Sequence, residues 1–219
     1  MKTCATLPDK DCALCPRLES FRDKNRATFP DMHNAPVPPF GDDNPALLVV
    51  GLAPGLRGAN FSGRPFTGDY AGDLLYPTLV KFGFAEGRYG RHPKDGMRLI
   101  NARITNAVRC VPPENKPTGD EINQCRPFLE KEIASLSNLK VIVALGTVAH
   151  NSVLRALGLA VGGYKFGHAK SYALTPKKAM KHAVTLLDSY HCSRYNVNTG
   201  RLTTEMFEDV IQKARKITG

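Results

Sequence analysis

Between Gly51 and Gly72 the chain carries six glycines and two prolines, and no other stretch constrains its fold so strongly. Glycine loses the most entropy on ordering and proline supplies no backbone donor, so neither a regular helix nor a strand can run through it. Directly before it, Ala46-Leu47-Leu48-Val49-Val50 is a continuous apolar run of the length expected of a strand buried on both faces. The glycine-rich run is therefore a long loop at the carboxyl end of a core strand, where open α/β sheets bind their ligands.

Three further apolar runs read as core strands: one centred on Ile104 to Val108, one from Lys140 to Gly146, and one from Ala183 to Leu187. Helical patterns fall between them. Asp73 to Phe82 has helical spacing, with Pro77 tolerable only in a first turn. Thr118-Gly119-Asp120-Glu121 is a capping box opening a helix that carries Cys125 on its second turn. Thr147 can cap a helix running to Leu157, and a last helix from about Thr203 to Lys216 sets Met206, Phe207, Val210, Ile211 and Ala214 on one face. Alternating strands and helices predict an α/β/α sandwich with a central four-stranded, mostly parallel sheet flanked by helices. Phe29 to Pro45 holds five prolines and reads as an irregular wrap into the first strand. The glycine-rich loop, Asn106, Gly146 and His191 then converge on one cleft.

A chain of 219 residues, 42% of them hydrophobic, can bury a real core. No apolar run is long enough to span a bilayer, and Met1-Lys2-Thr3-Cys4 opens no signal-peptide pattern, so a soluble cytoplasmic protein is expected. No oligomerisation pattern stands out, and a monomer is expected. The net charge of +10 points to a polyanionic partner through phosphate contacts, against the plainer reading of a basic surface. From Gly162 to His182, Lys165, Lys170, Lys177, Lys178 and Lys181 accompany Tyr164, Phe166 and His168, as either a phosphate-binding stripe or a solvated basic loop.

Cys12-Ala13-Leu14-Cys15 can place two thiols on one metal ion, and Cys110 and Cys125 form a second local pair. Four thiols so paired suit tetrahedral zinc or an iron–sulfur cluster, either of which ties the N-terminal segment 1–45 to the body of a single domain spanning 1–219. A redox dithiol is the alternative for the first pair, but it wants the start of a helix, and Pro16 reads as a terminator. Unrelated reduced cysteines are the plain reading; Cys4 and Cys192 are spare.

The loop lacks the Gly-Lys-Ser/Thr of a Walker P-loop and the Gly-x-Gly-x-x-Gly of a dinucleotide site. No serine sits in a nucleophile elbow, and no histidine pair is spaced for a metal. What remains at the cleft is an amide, an imidazole, a carboxylate and an aromatic ring. Taken singly these have duller readings: Asn106 capping a turn, Asp69 in an Asx-turn, Phe66 in the core, His191 satisfied at a strand end.

Taken together they carry a resemblance. Gly51-Leu52-Ala53-Pro54-Gly55, Gly63-Arg64-Pro65-Phe66-Thr67-Gly68-Asp69, Ile104-Thr105-Asn106-Ala107-Val108-Arg109-Cys110-Val111-Pro112-Pro113-Glu114-Asn115-Lys116-Pro117 and His191-Cys192-Ser193-Arg194-Tyr195-Asn196 resemble, in order and over nearly the whole chain, the uracil-DNA glycosylase superfamily. Within it the likeness is to the prokaryotic family 5, or type B, enzymes, relatives of the family 4 iron–sulfur glycosylases. The resemblance implies a 4Fe–4S cluster on Cys12, Cys15, Cys110 and Cys125, and DNA containing damaged bases as partner. It implies that the base is flipped out of the stack into a pocket formed by Gly51, Ala53 and Gly55, with Phe66 stacking on it and Asn106 bonding its polar edge. His191 would stabilise the departing base anion. Family 4 carries a glutamate where this chain has Leu52; family 5 shares that loss, leaving Asp69 to position the water. Arg194, Tyr195 and Asn196 would contact DNA, Tyr195 taking the place of the residue that wedges into the duplex. Cys192 and Arg194 replace both prolines of the commoner His-Pro-Ser-Pro arrangement. The expected activity is a monofunctional repair glycosylase acting on uracil by default, with hypoxanthine and etheno-cytosine as further substrates. The rival is a non-catalytic iron–sulfur protein that binds nucleic acid.

Overall fold

Every residue of Leu47 to Gly51 is buried, so this strand must be covered on both faces, and the rest of the molecule is arranged to do so. The structure, a computed structural model, describes residues 6–219; Cys4 and the signal-peptide reading of the first residues lie outside it. In chain order the elements are α1 (Pro16–Thr28), β1 (Phe40–Gly41), β2 (Leu47–Gly51), α2 (Ala59–Ser62), α3 (Tyr70–Lys81), β3 (Ala85–Glu86), β4 (Arg98–Leu99), β5 (Ala102–Asn106), α4 (Gly119–Ser135), β6 (Val141–Leu145), α5 (Thr147–Ala156), β7 (Ser171–Leu174), β8 (Val184–Ser189), α6 (Arg194–Asn198) and α7 (Thr204–Thr218).

The main sheet has six strands in the order β1-β5-β2-β6-β8-β7. Its centre, β5-β2-β6-β8, is the parallel four-stranded sheet expected from the sequence. Antiparallel edge strands β1 and β7 enlarge it. Neither stretch reads as a strand, because β1 is two residues in a proline-rich run and β7, in the basic stretch, buries only Leu174; an edge strand needs a ladder on one side only. Successive residues of β2 serve opposite faces. Leu47 and Val49 pack with Leu75 and Leu79 of α3 and Phe207 and Ile211 of α7, while Leu48 and Val50 pack with Leu129 and Ile133 of α4 and Val153 and Leu154 of α5. That is the α/β/α sandwich.

Three local expectations are corrected. Pro16 does not terminate anything: it is the first residue of α1, where its missing N–H costs no hydrogen bond, and Cys15 is the N-cap. Pro77 lies inside α3, since Asp69 caps that helix three residues ahead of the expected start and leaves the Asp73 carbonyl without its helical donor. Gly146, at φ +95°, precedes α5 as N-cap, so Thr147 is already helical. The capping box of α4 is present, with Thr118 Oγ1 accepting from Glu121 N–H at 3.3 Å and Glu121 Oε2 from Thr118 N–H at 2.7 Å.

One polar network crosses the core. Glu132 of α4, 1% exposed, accepts hydrogen bonds from Arg103 Nε and Thr105 Oγ1 of β5, both at 2.9 Å, and from the buried guanidinium of Arg109. Removing one member of a buried charge set strands the others, at a cost of about 3–5 kcal/mol. Glu132→Ala should therefore lower the unfolding free energy by about 3 kcal/mol or more in urea titrations, and an effect below about 1 kcal/mol would show Arg109 to be solvated instead.

Candidate active site

Above the carboxyl ends of β2 and β5 lies a cavity of about 380 Å³, walled by Leu52, Ala53, Gly55, Phe66, Asp69, Asn106, Asn115, His191 and Arg194, among others. Parallel pairing sets Gly51 beside Asn106. Gly51 is not itself part of the wall. A Cβ there would collide with Asn106 Oδ1 and lie 2.6 Å from Phe66 Cζ, so the missing side chain is what lets amide and ring close over the strand end. Asn106 is 3% exposed, and its Oδ1 is buried with no hydrogen-bond partner.

Phe66 sits at φ +53°, a costly conformation for an aromatic residue that persists only when its surroundings impose it. The Tyr89 hydroxyl donates to the Phe66 carbonyl at 3.0 Å and accepts from Gly68 N–H at 3.2 Å, and the Tyr76 hydroxyl donates to the Pro65 carbonyl at 2.7 Å. Arg64, buried, makes two 2.7 Å bonds to Asp95 and lies 5.1 Å from the Phe40 ring and 5.2 Å from the Tyr76 ring. Its guanidinium holds the Asp95 carboxyl well below the usual carboxylate range. Gly72 completes the support, because a Cβ on it would collide with the Phe66 carbonyl and the Tyr89 hydroxyl.

His191 enters from the far wall, two residues beyond β8, with its ring stacked on Phe66 at 5.9 Å and 29°. Its Nδ1 is buried without a partner, and burial pulls its pKa down to about 4, so the imidazole is neutral at physiological pH. Asn196, expected to face DNA, turns its amide inward and donates to the His191 carbonyl at 2.8 Å. Gly146 lies behind His191 rather than in the cavity wall. Arg194 reaches the cavity mouth with its guanidinium 5.4 Å from the Tyr70 ring, and Tyr195 is 71% exposed.

Asp69 is the one carboxylate in the wall. It caps α3, accepting from Gly72 N–H at 3.4 Å, and burial raises its pKa against the pull of the helix N-terminal amides. Gly58 leaves it room, since a Cβ there would lie 2.5 Å from Asp69 Oδ2. Leu52, on the same wall, is apolar. Asn115 also joins the wall, although the sequence motifs give it no role there. Asn115 and Glu114 lie in the left-handed region at φ +57° and +55°, within a loop bounded by Pro112 and Pro117; asparagine between prolines was the available signal. Between a ring, two amides and a neutral imidazole, the cavity suits a flat heterocycle with a polar edge.

Cys12, Cys15, Cys110 and Cys125 line a second, small cavity with Leu18, Val108 and Phe128. The Arg109 N–H donates to Cys125 Sγ at 3.3 Å, and Arg22 holds the Cys12 carbonyl at 2.8 Å. Burial, reinforced by the neighbouring thiols, pushes Cys15 up to about 11 and Cys110 up to about 12. A redox dithiol needs the opposite shift, and these thiols would ionise readily only beside a cation. Among the described residues no three His, Cys, Asp or Glu side chains are gathered closely enough to hold a single metal ion. Cys192 is buried in the main core. No helix among the described residues is long and apolar enough to cross a membrane.

Residues 38–215 match the family model of the uracil DNA glycosylase superfamily. The chain is 42% identical over 213 residues to the type-5 uracil-DNA glycosylase of Thermus thermophilus, covering 95% of this chain and 94% of that protein. It is 37% identical over 213 residues to the type-5 uracil-DNA glycosylase of Pyrobaculum aerophilum, covering 95% and 90%. Against the type-4 uracil-DNA glycosylase of the same organism the identity is 32% over 150 residues, 68% of this chain and 62% of that one.

The neutral His191 has a consequence for stability. In the unfolded chain its imidazole takes up a proton near pH 6.5, in the folded protein only near 4, so between those values the unfolded state binds more protons. This stability is present above pH 6.5 and is lost as pH falls toward 4. His191→Gln does not titrate. In urea unfolding at stepped pH, wild type should lose stability relative to the variant across that window; a constant difference would show the imidazole to be solvated.

Proposed function

The chain belongs to the uracil-DNA glycosylase superfamily, and from that premise we propose that the cavity receives a base turned out of duplex DNA, whose N-glycosidic bond the protein hydrolyses to leave an abasic site. Uracil is the base for which its type-5 and type-4 relatives are named. The observation that carries the reading is the pair of buried, partnerless polar atoms beside Phe66: Asn106 Oδ1 and His191 Nδ1. Leaving such a group unpaired costs about 1–3 kcal/mol, which a bound ligand recovers. An amide oxygen asks for an N–H. Uracil presents N3–H beside a carbonyl, hypoxanthine presents N1–H beside a carbonyl, and cytosine presents a bare acceptor at N3. Deamination creates the donor that Asn106 lacks, and etheno-cytosine would rely on stacking against Phe66 and on the amide turning its NH₂ inward.

As the bond breaks, negative charge gathers on the base and positive charge on the sugar. His191, neutral, donates a hydrogen bond to the base oxygen, and Asp69 orients water and faces the sugar cation. Tyr195, exposed beside Arg194 at the mouth, fills the space the base leaves in the stack. The net charge of +10 favours the phosphate backbone.

The thiols support a second part of the proposal. Cys12 and Cys15 would hold a 4Fe–4S cluster with Cys110 and Cys125, joining the entry to α1 to the loop after β5 and to α4. Four thiols line one cavity that no histidine or carboxylate enters, which is the donor set of an iron–sulfur cluster. When bound, such a cluster supplies a covalent brace.

Wild type incubated with uracil-containing duplex and then alkali should give strand cleavage at the uracil, and no cleavage at any protein-to-DNA ratio would sink the proposal. Asn106→Ala and His191→Ala should each lower the single-turnover rate by about 10²–10³-fold, and Asp69→Asn should lower it with binding of abasic duplex retained. Protein purified without oxygen should be brown and contain iron and acid-labile sulfide in equal amounts; a colourless zinc protein would replace the cluster assignment without touching the activity.

A further inference from the structure

Behind His191 stands a buried pair that the cavity does not use. His150 of α5 and Asp188 of β8 are both fully buried. His150 Nδ1 lies 2.7 Å from Asp188 Oδ1, and Nε2 lies 2.9 Å from the Tyr164 carbonyl oxygen. A carbonyl only accepts, and the other oxygen of Asp188 already accepts from Gly167 N–H at 3.3 Å. Both contacts are met at once when each ring nitrogen carries a proton, Nδ1–H facing the carboxylate and Nε2–H the carbonyl. Burial alone would discharge the imidazole, but Asp188 and the Tyr164 carbonyl outweigh it, against the opposing charge of Lys170, and raise its pKa. Phe166 and Tyr172 cover the ring edge-on at 5.7 and 6.2 Å.

The pair is spent on the loop from Tyr164 to Lys170. Asp188 exchanges backbone bonds with it, its carbonyl accepting from Ala169 N–H and its N–H donating to the Lys170 carbonyl, both at 2.9 Å. His168, at the centre of that loop, accepts from Tyr190 N–H through Nδ1 at 3.2 Å and stacks on the Tyr190 ring at 5.1 Å. Tyr190 is bonded to His191. Among the described residues the His191 ring has no hydrogen-bond partner, so its aim is set by the main chain that carries it and by its contact with Phe66.

We infer that the His150–Asp188 ion pair positions His191, acting through the 164–168 loop and the Tyr190 backbone. This rests on the reading of His191 as the group that meets the departing base. A misplacement of about 1 Å at a reacting group costs on the order of 10²-fold in rate, so the pair acts on the chemical step and not on DNA affinity. It also acts only while both ring nitrogens are protonated: its bonds are complete below the His150 pKa and one is lost as pH rises through it.

The test is single-turnover excision of uracil from duplex DNA, with affinity for an abasic duplex measured alongside. His150→Gln should excise about ten- to a hundredfold more slowly with unchanged affinity. The wild-type rate should fall on the alkaline side while the rate of the variant stays flat there. His168→Ala breaks the link from the loop to Tyr190 and, with it, the ring's bond to the Met206 backbone of α7, at a half-buried position. It should lose rate to a similar extent while the doubly protonated His150 ring remains visible by nitrogen NMR. Wild-type rates in His168→Ala would overturn the inference even if His150→Gln fails to fold, as would an alkaline limb unchanged in a folded His150→Gln. If wild-type protein forms no abasic sites, the function itself fails; if it forms them and both variants match it, this inference alone fails.

Discussion

The parallel register that puts Gly51 next to Asn106 is the constraint on which the rest of the site hangs. Two adjacent strand ends in a parallel sheet normally turn side chains toward each other's loops. Here one has no side chain, and the volume it vacates is taken by the Asn106 amide and the edge of Phe66. Neither could be there otherwise. The glycine-rich run then has a second task, to bring Phe66 back over the strand it has just left, which explains why it is long, why it turns through a left-handed phenylalanine, and why Gly58 and Gly72 pass so close to Asp69 and Tyr89.

Each wall of the cavity is backed by its own buried ion pair. Arg64 and Asp95 stand behind Phe66, Arg109 and Glu132 behind the end of β5 that carries Asn106, and His150 and Asp188 behind the segment that carries His191. Buried pairs are poor sources of net stability, because desolvation offsets most of their attraction. Their geometry, however, has few alternatives. Three such pairs around one 380 Å³ cavity are better understood as fixing where ring, amide and imidazole stand than as holding the fold together, which the apolar layers on either side of β2 already do.

The parallel centre of the sheet, the loop and the convergence of Phe66, Asn106 and His191 were legible in the sequence because each rests on strong local signals: continuous apolar runs, glycine and proline density, and the rule that parallel strands present their loops at one edge. What was not legible depends on tertiary contact. Strand β1 exists because Phe40 and Gly41 meet Ile104 and Arg103, α1 because Leu18 packs beside Cys125, and neither has enough apolar periodicity to announce itself. Asn115 reaches the cavity only because its loop is bent through two left-handed residues. The inward turn of Asn196 follows from the short helix α6, capped by Ser193, which brings its amide to the His191 carbonyl.

The charges at the site explain why a basic protein keeps its key imidazole neutral. A cation at His191 would bind uncharged uracil no better, and its burial would oppose the fold. On the proposed reading, a neutral N–H gains strength only as the base oxygen becomes anionic, so its contribution appears in the transition state and not before it. Asp69 works in the opposite sign. Helix α3 supplies amides that favour its charge while burial disfavours it, leaving a carboxylate that is under-solvated and, on the proposed reading, answered by a cation forming at the sugar. In the proposed reaction both groups, ill at ease in the free enzyme, are satisfied when the glycosidic bond is half broken, and the long-range attraction of the +10 surface for phosphate brings DNA to them without drawing on that difference.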